Sequence, residues 1–270
     1  MMEKNEQKEW IRNNKKKWLG MGVGLTLLVL GIVLTVLTRA GALAEGAGDG
    51  AKIPFAIGLI MILVGVVIPV SGFLPERKPT DVRTLSLAAL FAALCYIGFS
   101  YCKIDIPVGM EKTAFHLGNV FCVLAALFLG GFWGGMAGAV GMTIADLTTA
   151  YVTSAPKTFL LKLCIGLIVG FVAHKIFKIS KDREDRKLPL PAATVISCAA
   201  GMAFNIVADP VVGYFYKMYV LGVPQKAASI WAKIGAITTS VNAVVAVIAA
   251  SVFYLALRKA MRRTNLLPKL

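Results

Sequence analysis

Eight apolar stretches, each long enough to cross a lipid bilayer as a helix, dominate the sequence. A spanning helix needs about 20 mostly apolar residues, and its backbone must bond internally because hydrocarbon offers no water. The mean hydropathy of +0.74 also indicates a membrane protein. We therefore predict an all-α integral membrane protein of eight transmembrane helices. The stretches run approximately over 18–38, 53–73, 84–102, 115–130, 132–151, 157–177, 189–213 and 232–257.

The distribution of Lys and Arg predicts the orientation of these helices. The net charge is +15, which on its own resembles a nucleic-acid-binding protein. However, 20 of the 29 Lys and Arg residues lie in the two ends and in alternate connections. Cytoplasmic loops carry such an excess, so both termini are predicted to be cytoplasmic. Anionic lipid headgroups account for the basic residues without a nucleic-acid partner.

A proline-bracketed basic segment, Pro75 to Pro79, indicates a domain boundary. We expect an N-terminal basic segment with a two-helix transmembrane hairpin over residues 1–78. A six-helix substrate-binding membrane domain would follow over residues 79–270. The small residues at 42–44 resemble a signal-peptide cleavage site, but the preceding apolar run is longer than a signal core, which favours a retained helix.

Polar side chains inside the spans gather at the outer half of the predicted bundle. An ionisable group near the bilayer centre costs at least ~2.5 kcal/mol and is rarely kept without a use. A cluster on one side predicts a pocket open to the outside, because a proton relay would need polar groups at every depth. Both charge signs occur in it, so neither a cationic nor an anionic ligand is excluded. The residues of this outer cluster are His116, Asn119, Asp146, Lys162, Asn205, Asp209, Lys233 and Asn242.

Two outer loops border this predicted pocket. The loop over residues 103–112 is long enough to fold across it. The loop over residues 214–230 carries three tyrosines whose rings could stack on a planar ligand, although interfacial tyrosines look the same in sequence. Lys157 and Tyr151 fit equally well as ligand contacts or as helix-end residues at the interface.

Small residues form two patterns that predict close helix packing. Glycine recurs every four residues over 130–141, which lets helix backbones approach closely in lipid. Ala88, Ala89, Ala92 and Ala93 form two overlapping small-xxx-small pairs. They suit packing inside the bundle or docking to another membrane protein, and the sequence leaves both open.

Motifs for catalysis are missing from the sequence. It has no GxxxxGK[ST] nucleotide loop, no HExxH and no GxSxG, and it has two histidines in total. We therefore expect no enzyme activity, no catalytic residues, no metal and no cofactor.

The six-helix unit resembles the substrate-binding S component of energy-coupling factor (ECF) transporters, in the riboflavin-transporter-like group. The resemblance covers about residues 81–260. It rests on LSLAALFAAL at 85–94, FHLGN at 115–119 with the glycine-rich stretch ending in ADL, and YVTSAPKTFLLKLCIGLIVG at 151–170.

That resemblance implies a six-helix S-component-like bundle that binds a vitamin or related micronutrient in a bacterial plasma membrane. It implies docking through Ala88, Ala89, Ala92 and Ala93 onto a T component that carries two ATPase subunits. It further implies that the ligand is contacted by His116, Asn119, Asp146, Lys162, Asn205 and Asn242.

Two other functions remain as alternatives. A self-sufficient, ion-coupled secondary transporter of eight helices would need no ATPase. A membrane enzyme using Asp146 and His116 as acid and base is the weaker alternative, because histidine is so scarce.

Overall fold

A computed structural model divides the chain into two compact units, residues 1–75 with 219–222 and residues 76–218 with 223–270. The structure describes residues 82–109, 111–181 and 188–264, together with scattered helical positions between 23 and 34. The second predicted span, the predicted boundary at 78/79 and both termini lie outside the described residues. The two-helix hairpin, the count of eight spans and the cytoplasmic termini therefore stay predictions.

The second unit is mostly helical. Five of its helical stretches are long and apolar enough to cross a membrane, which agrees with a multi-pass membrane protein. The third of these stretches, Val152–Ile176, ends in a π-helical segment, Phe171–Ile176. The elements are α1 (Val82–Ser100), β1 (Lys103–Val108), β2 (Glu111–His116), α2 (Gly118–Leu147), α3 (Ala155–Gly170), α4 (Leu190–Tyr219) and α5 (Gln225–Arg263).

Helix α2 is a tight helical hairpin that reverses at Gly130. The backbone there has φ 81° and ψ 174°, a conformation open to glycine and not to larger residues. A Cβ on Gly134 would lie 2.3 Å from the Cα of Ala126, and one on Gly138 would lie 2.3 Å from the Sγ of Cys122. Residues 122 and 138 would be about 24 Å apart in a straight helix. The two arms correspond to the separate segments expected at 115–130 and 132–151.

Glycines hold the second arm of α2 against α3. A Cβ on Gly166 would lie 2.2 Å from the Cα of Gly135, and one on Gly170 would lie 2.1 Å from the backbone nitrogen of Gly131. Any side chain at these positions would push the two helices apart. The packing role predicted for the glycine pattern is confirmed, and it places the α2 hairpin in the centre of the unit.

An antiparallel β-hairpin connects α1 to α2. Its register pairs Lys103 with His116 and Val108 with Glu111. We expected a loop over 103–112 and a helix from residue 115, whereas His116 ends a strand and the helix begins at Gly118. The hairpin is a departure from the predicted all-α fold.

The prediction of a loop over residues 214–230 is wrong, because α4 continues through Pro210 as far as Tyr219. Proline removes one backbone donor, but here it does not end the helix. Helix α5 then begins at Gln225, directly after Pro224. The three tyrosines of this segment are helical and do not line the cavity described below.

Candidate functional site

A cavity of ≈ 140 Å³ lies at one end of the second unit, bordered by the β-hairpin. One water needs about 10–15 Å³ of such volume, so the cavity has room for a small organic molecule. Its walls come from β2, both arms of α2, α3, α4 and α5. Helices α4 and α5 contribute residues from their middle turns, around Asn205 and Asn242.

The six residues predicted to contact a ligand all line this cavity. Helix geometry explains the convergence, because one arm of α2 starts and the other ends at the same end of the bundle. Lys233 of the predicted outer cluster is exposed and does not line it. The lining ligand candidates are His116, Asn119, Asp146, Lys162, Asn205 and Asn242.

Asn242 binds the backbone of β2 with both polar atoms of its side chain. Its Oδ1 accepts from the backbone N–H of His116 at 3.0 Å, and its Nδ2 donates to the carbonyl of Ala114 at 2.9 Å. The side chain therefore fastens the β-hairpin to α5. The Oγ1 atoms of Thr113 and Thr238 add a contact of 3.0 Å between the same elements.

The other edge of the hairpin contacts the segment between α2 and α3. The hydroxyl of Tyr151 donates to Oδ1 of Asp105 at 2.8 Å. Partial burial of Asp105 raises the pKa of its carboxyl, but the hydrogen bonds from Tyr151 and Lys103 and the lysine charge outweigh it, so the pKa is lowered. Trp231 of α5 donates its indole N–H to the carbonyl of Val108 at 3.0 Å.

An ion pair ties three helices together at the cavity wall. The ammonium of Lys157 lies 2.8 Å from Oδ1 of Asp209, and Thr239 donates to Oδ2 at 2.9 Å. Both Asp209 oxygens thus have protein partners. Lys157 therefore has a structural role in the bundle, as the ion-pair partner of Asp209.

Four polar groups facing the cavity have no partner among the residues that the structure describes. They are Oδ1 of Asn119, Oδ2 of Asp146, Oδ1 of Asn205 and Nδ1 of His116. Asn119, Asp146 and Asn205 are only 1%, 2% and 1% exposed. Buried polar atoms normally have a protein or water partner, so these four groups are available to a bound molecule or to ordered water.

Burial sets the charge state of His116. Loss of hydration lowers the pKa of its imidazole to about 3, and the positive charge of Lys162 acts in the same direction. The ring is therefore neutral at physiological pH. It packs edge-on against Phe99, with 4.7 Å between the ring centres.

The four alanines predicted for docking divide into two pairs. Ala88 is buried and Ala92 half-buried, and a Cβ on Gly141 would lie 2.1 Å from the Ala92 carbonyl oxygen. This pair packs inside the bundle. Ala89 and Ala93 are exposed on a neighbouring face of α1. Docking itself stays a prediction. Ala89 and Ala93 are the two alanines exposed enough to contact a docked partner.

Some lining residues escaped the sequence analysis. Thr239 lies one helical turn before Asn242, so a search of the same helix face would have found it. The pairing of Lys157 with Asp209 joins residues 52 positions apart and has no local signal. Among the described residues, no cluster of three or more His, Cys, Asp or Glu side chains could hold a metal ion.

A comparison with protein families gives a match over most of the second unit. The sequence model of the family described as "ECF-type riboflavin transporter, S component" matches residues 80–259. No curated protein and no solved structure matches the chain.

Proposed function

The chain belongs to the family of ECF-type riboflavin transporter S components, and we propose that residues 79–270 form the substrate-binding subunit of an ECF importer. In this role the protein captures a vitamin or related micronutrient from outside and delivers it inward. The family is one of transport proteins, which agrees with the missing nucleotide loop.

The unpartnered wall of the cavity is the observation that best supports substrate capture. Asn119, Asp146 and Asn205 come from three helical segments, yet their free oxygens face one small space. Structural packing alone would leave no reason to bury three acceptors without donors. A polar small molecule supplies the missing partners.

The compound named in the family's description, riboflavin, is the first candidate ligand. Its flat ring system suits the aromatic side chains of Phe99, Tyr151 and Trp231, and its polar groups suit the buried amides and charges. We assign Asn242 and Thr238 to holding the β-hairpin over the ligand, and Lys157 and Asp209 to holding the helices around it.

Membership of this family implies a T component and two ATPase subunits as partners. We propose that Ala89 and Ala93 contact the T component, because small exposed residues let helix backbones approach closely in lipid. We place the complex in a bacterial plasma membrane, with the cavity facing outward as the Lys and Arg distribution predicts.

Reconstitution tests this function. The full chain would be placed in liposomes with a T component and its ATPases, and uptake of radiolabelled riboflavin would be followed. Uptake should require ATP inside the liposome and all subunits. Uptake by the chain alone, driven by an ion gradient, would instead identify a self-sufficient secondary transporter.

A further inference from the structure

A tight turn carries two lysines at the end of the bundle that lies away from the cavity. It runs from Lys178 to Lys181, and the backbone N–H of Lys181 donates to the carbonyl of Lys178 at 3.0 Å. The first and last Cα atoms of such a turn lie within about 7 Å of each other. Two ammonium groups are therefore attached to one small piece of backbone.

The backbone of Lys178 adopts an unusual conformation. Its φ is 52°, in the left-handed region that glycine adopts readily and that a residue with a Cβ adopts at a cost in free energy. Glycine would be the easier residue at this position. The presence of a lysine instead points to a use for its positive charge.

The turn is fastened to the bundle by three side chains. Arg258 of α5 donates to the carbonyl of Ile179 at 2.6 Å, and Arg262 donates to the carbonyl of Ser180. The hydroxyl of Ser180 also bonds Nδ1 of His174 at 2.6 Å. The side chain of Ile179 is fully buried. The position of the turn is thus fixed from α3 and from α5, and Arg262 brings a third positive charge to it.

The surroundings of the turn are positively charged and lie at the edge of the membrane. Lys175, Lys259 and Arg263 are exposed at the same end of the bundle. The next six residues, 182–187, contain three acidic and three basic residues, so they add no net charge. The apolar stretch that can cross the membrane ends at Ile176, two residues before the turn. The turn therefore lies where hydrocarbon gives way to lipid headgroups.

We propose that Lys178, Lys181 and Arg262 form a binding site for the headgroup phosphate of an anionic phospholipid. The phosphate oxygens accept hydrogen bonds from the two ammonium groups, and the guanidinium adds its charge from α5. A zwitterionic headgroup carries a cation that these residues repel, so the site favours a headgroup with a net negative charge. A lipid bound here links the ends of α3 and α5. The site is separate from the cavity and does not depend on the proposed capture of a ligand.

Native mass spectrometry with defined lipids measures this preference. The full chain in detergent is titrated with phosphatidylglycerol and, separately, with phosphatidylcholine of the same acyl chains. We expect phosphatidylglycerol to bind about tenfold or more tightly, because each basic residue near a headgroup contributes a favourable contact. Equal binding of the two lipids overturns the proposal.

Variants of the turn distinguish this site from a general attraction to a basic protein. Lys178→Gly removes one ammonium and relieves the backbone conformation, so the fold should be kept. Lys178→Gly/Lys181→Gln should reduce the preference for phosphatidylglycerol to within about threefold, whereas Lys178→Arg should retain it. The matched control is Lys226→Gln/Lys233→Gln, which also removes two exposed charges but near the start of α5. A full preference in the turn variant, or an equal loss in the control, overturns the site.

Inorganic phosphate separates a lipid site from a site for a soluble anion. Phosphatidylglycerol binding is compared in excess phosphate and in chloride of the same ionic strength, so that screening is equal. We expect the two affinities to agree within about twofold, because the acyl chains keep the lipid on the protein. Selective displacement of the lipid by phosphate would show that the turn takes a free anion, which overturns the lipid assignment.

Discussion

The ammonium of Lys157 on α3 lies 2.8 Å from the carboxylate of Asp209 on α4, and Thr239 on α5 donates to the other carboxylate oxygen. One carboxylate thus joins three helices at the wall of the cavity. Lys157 and Thr239 lie 52 and 30 residues from Asp209 in the sequence. The first prediction follows from this arrangement.

Breaking the ion pair on one side should destabilise the helical unit. Asp209→Leu leaves the Lys157 ammonium partly buried without its partner, which should cost roughly 1–3 kcal/mol. Thermal unfolding in detergent would measure the effect. The double variant Lys157→Met/Asp209→Leu removes both charges and should recover part of the loss. Equal unfolding temperatures for the single variant and the unmodified protein would contradict this role.

Asn242→Leu should loosen the β-hairpin without unfolding the helices. The backbone N–H of His116 and the carbonyl of Ala114 lose their side-chain partner, so the hairpin opens more often. Hydrogen exchange over residues 103–116 should become faster. Ser240→Ala is the matched control, since its hydroxyl bonds only the carbonyl of Ala236 in its own helix. Unchanged exchange in Asn242→Leu would show that other contacts hold the hairpin.

His116 should make the protein less stable in mild acid. Its pKa is lowered to about 3 in the folded chain and is about 6.5 in an unfolded one. The unfolded chain therefore binds the extra proton first, and stability is lost as pH falls from about 6.5 towards 3. The unfolding temperature should drop between pH 7 and pH 5, and His116→Gln should show a shallower drop. Identical pH profiles for the two proteins would refute the lowered pKa.

Ala89→Leu/Ala93→Leu should block assembly while leaving ligand binding within about twofold. Both residues are exposed on α1, so larger side chains there disturb a partner and not the bundle. Co-purification with a T component would measure assembly. Ala203→Leu, at an exposed position of α4, is the control and should assemble normally. If the double variant still binds the T component, another surface makes the contact.

Sequence periodicity and residue depth predicted much of this architecture. Apolar length located the helices of the second unit, and the glycine spacing located the close contact between α2 and α3. Polar residues inside the spans identified six cavity-lining side chains, because burying such groups in lipid is costly enough that they collect around a polar space.

The remaining features depend on long-range contacts. The strand that ends at His116 forms by pairing with the strand that begins at Lys103. From the sequence alone we predicted that a helix starts at residue 115. Asn242 looked like a ligand contact because its partners are backbone groups over 120 residues away. The close packing of Ala92 depends on Gly141 of α2, which the pattern on α1 does not reveal.

Native mass spectrometry of the full chain tests the central claim most directly. The protein, released gently from a membrane expressing it, should carry one small molecule of a few hundred daltons per chain, and Asp146→Ala should lose that mass while remaining folded. A chain that carries no small molecule and binds none of the vitamins offered to it would contradict a substrate-binding function.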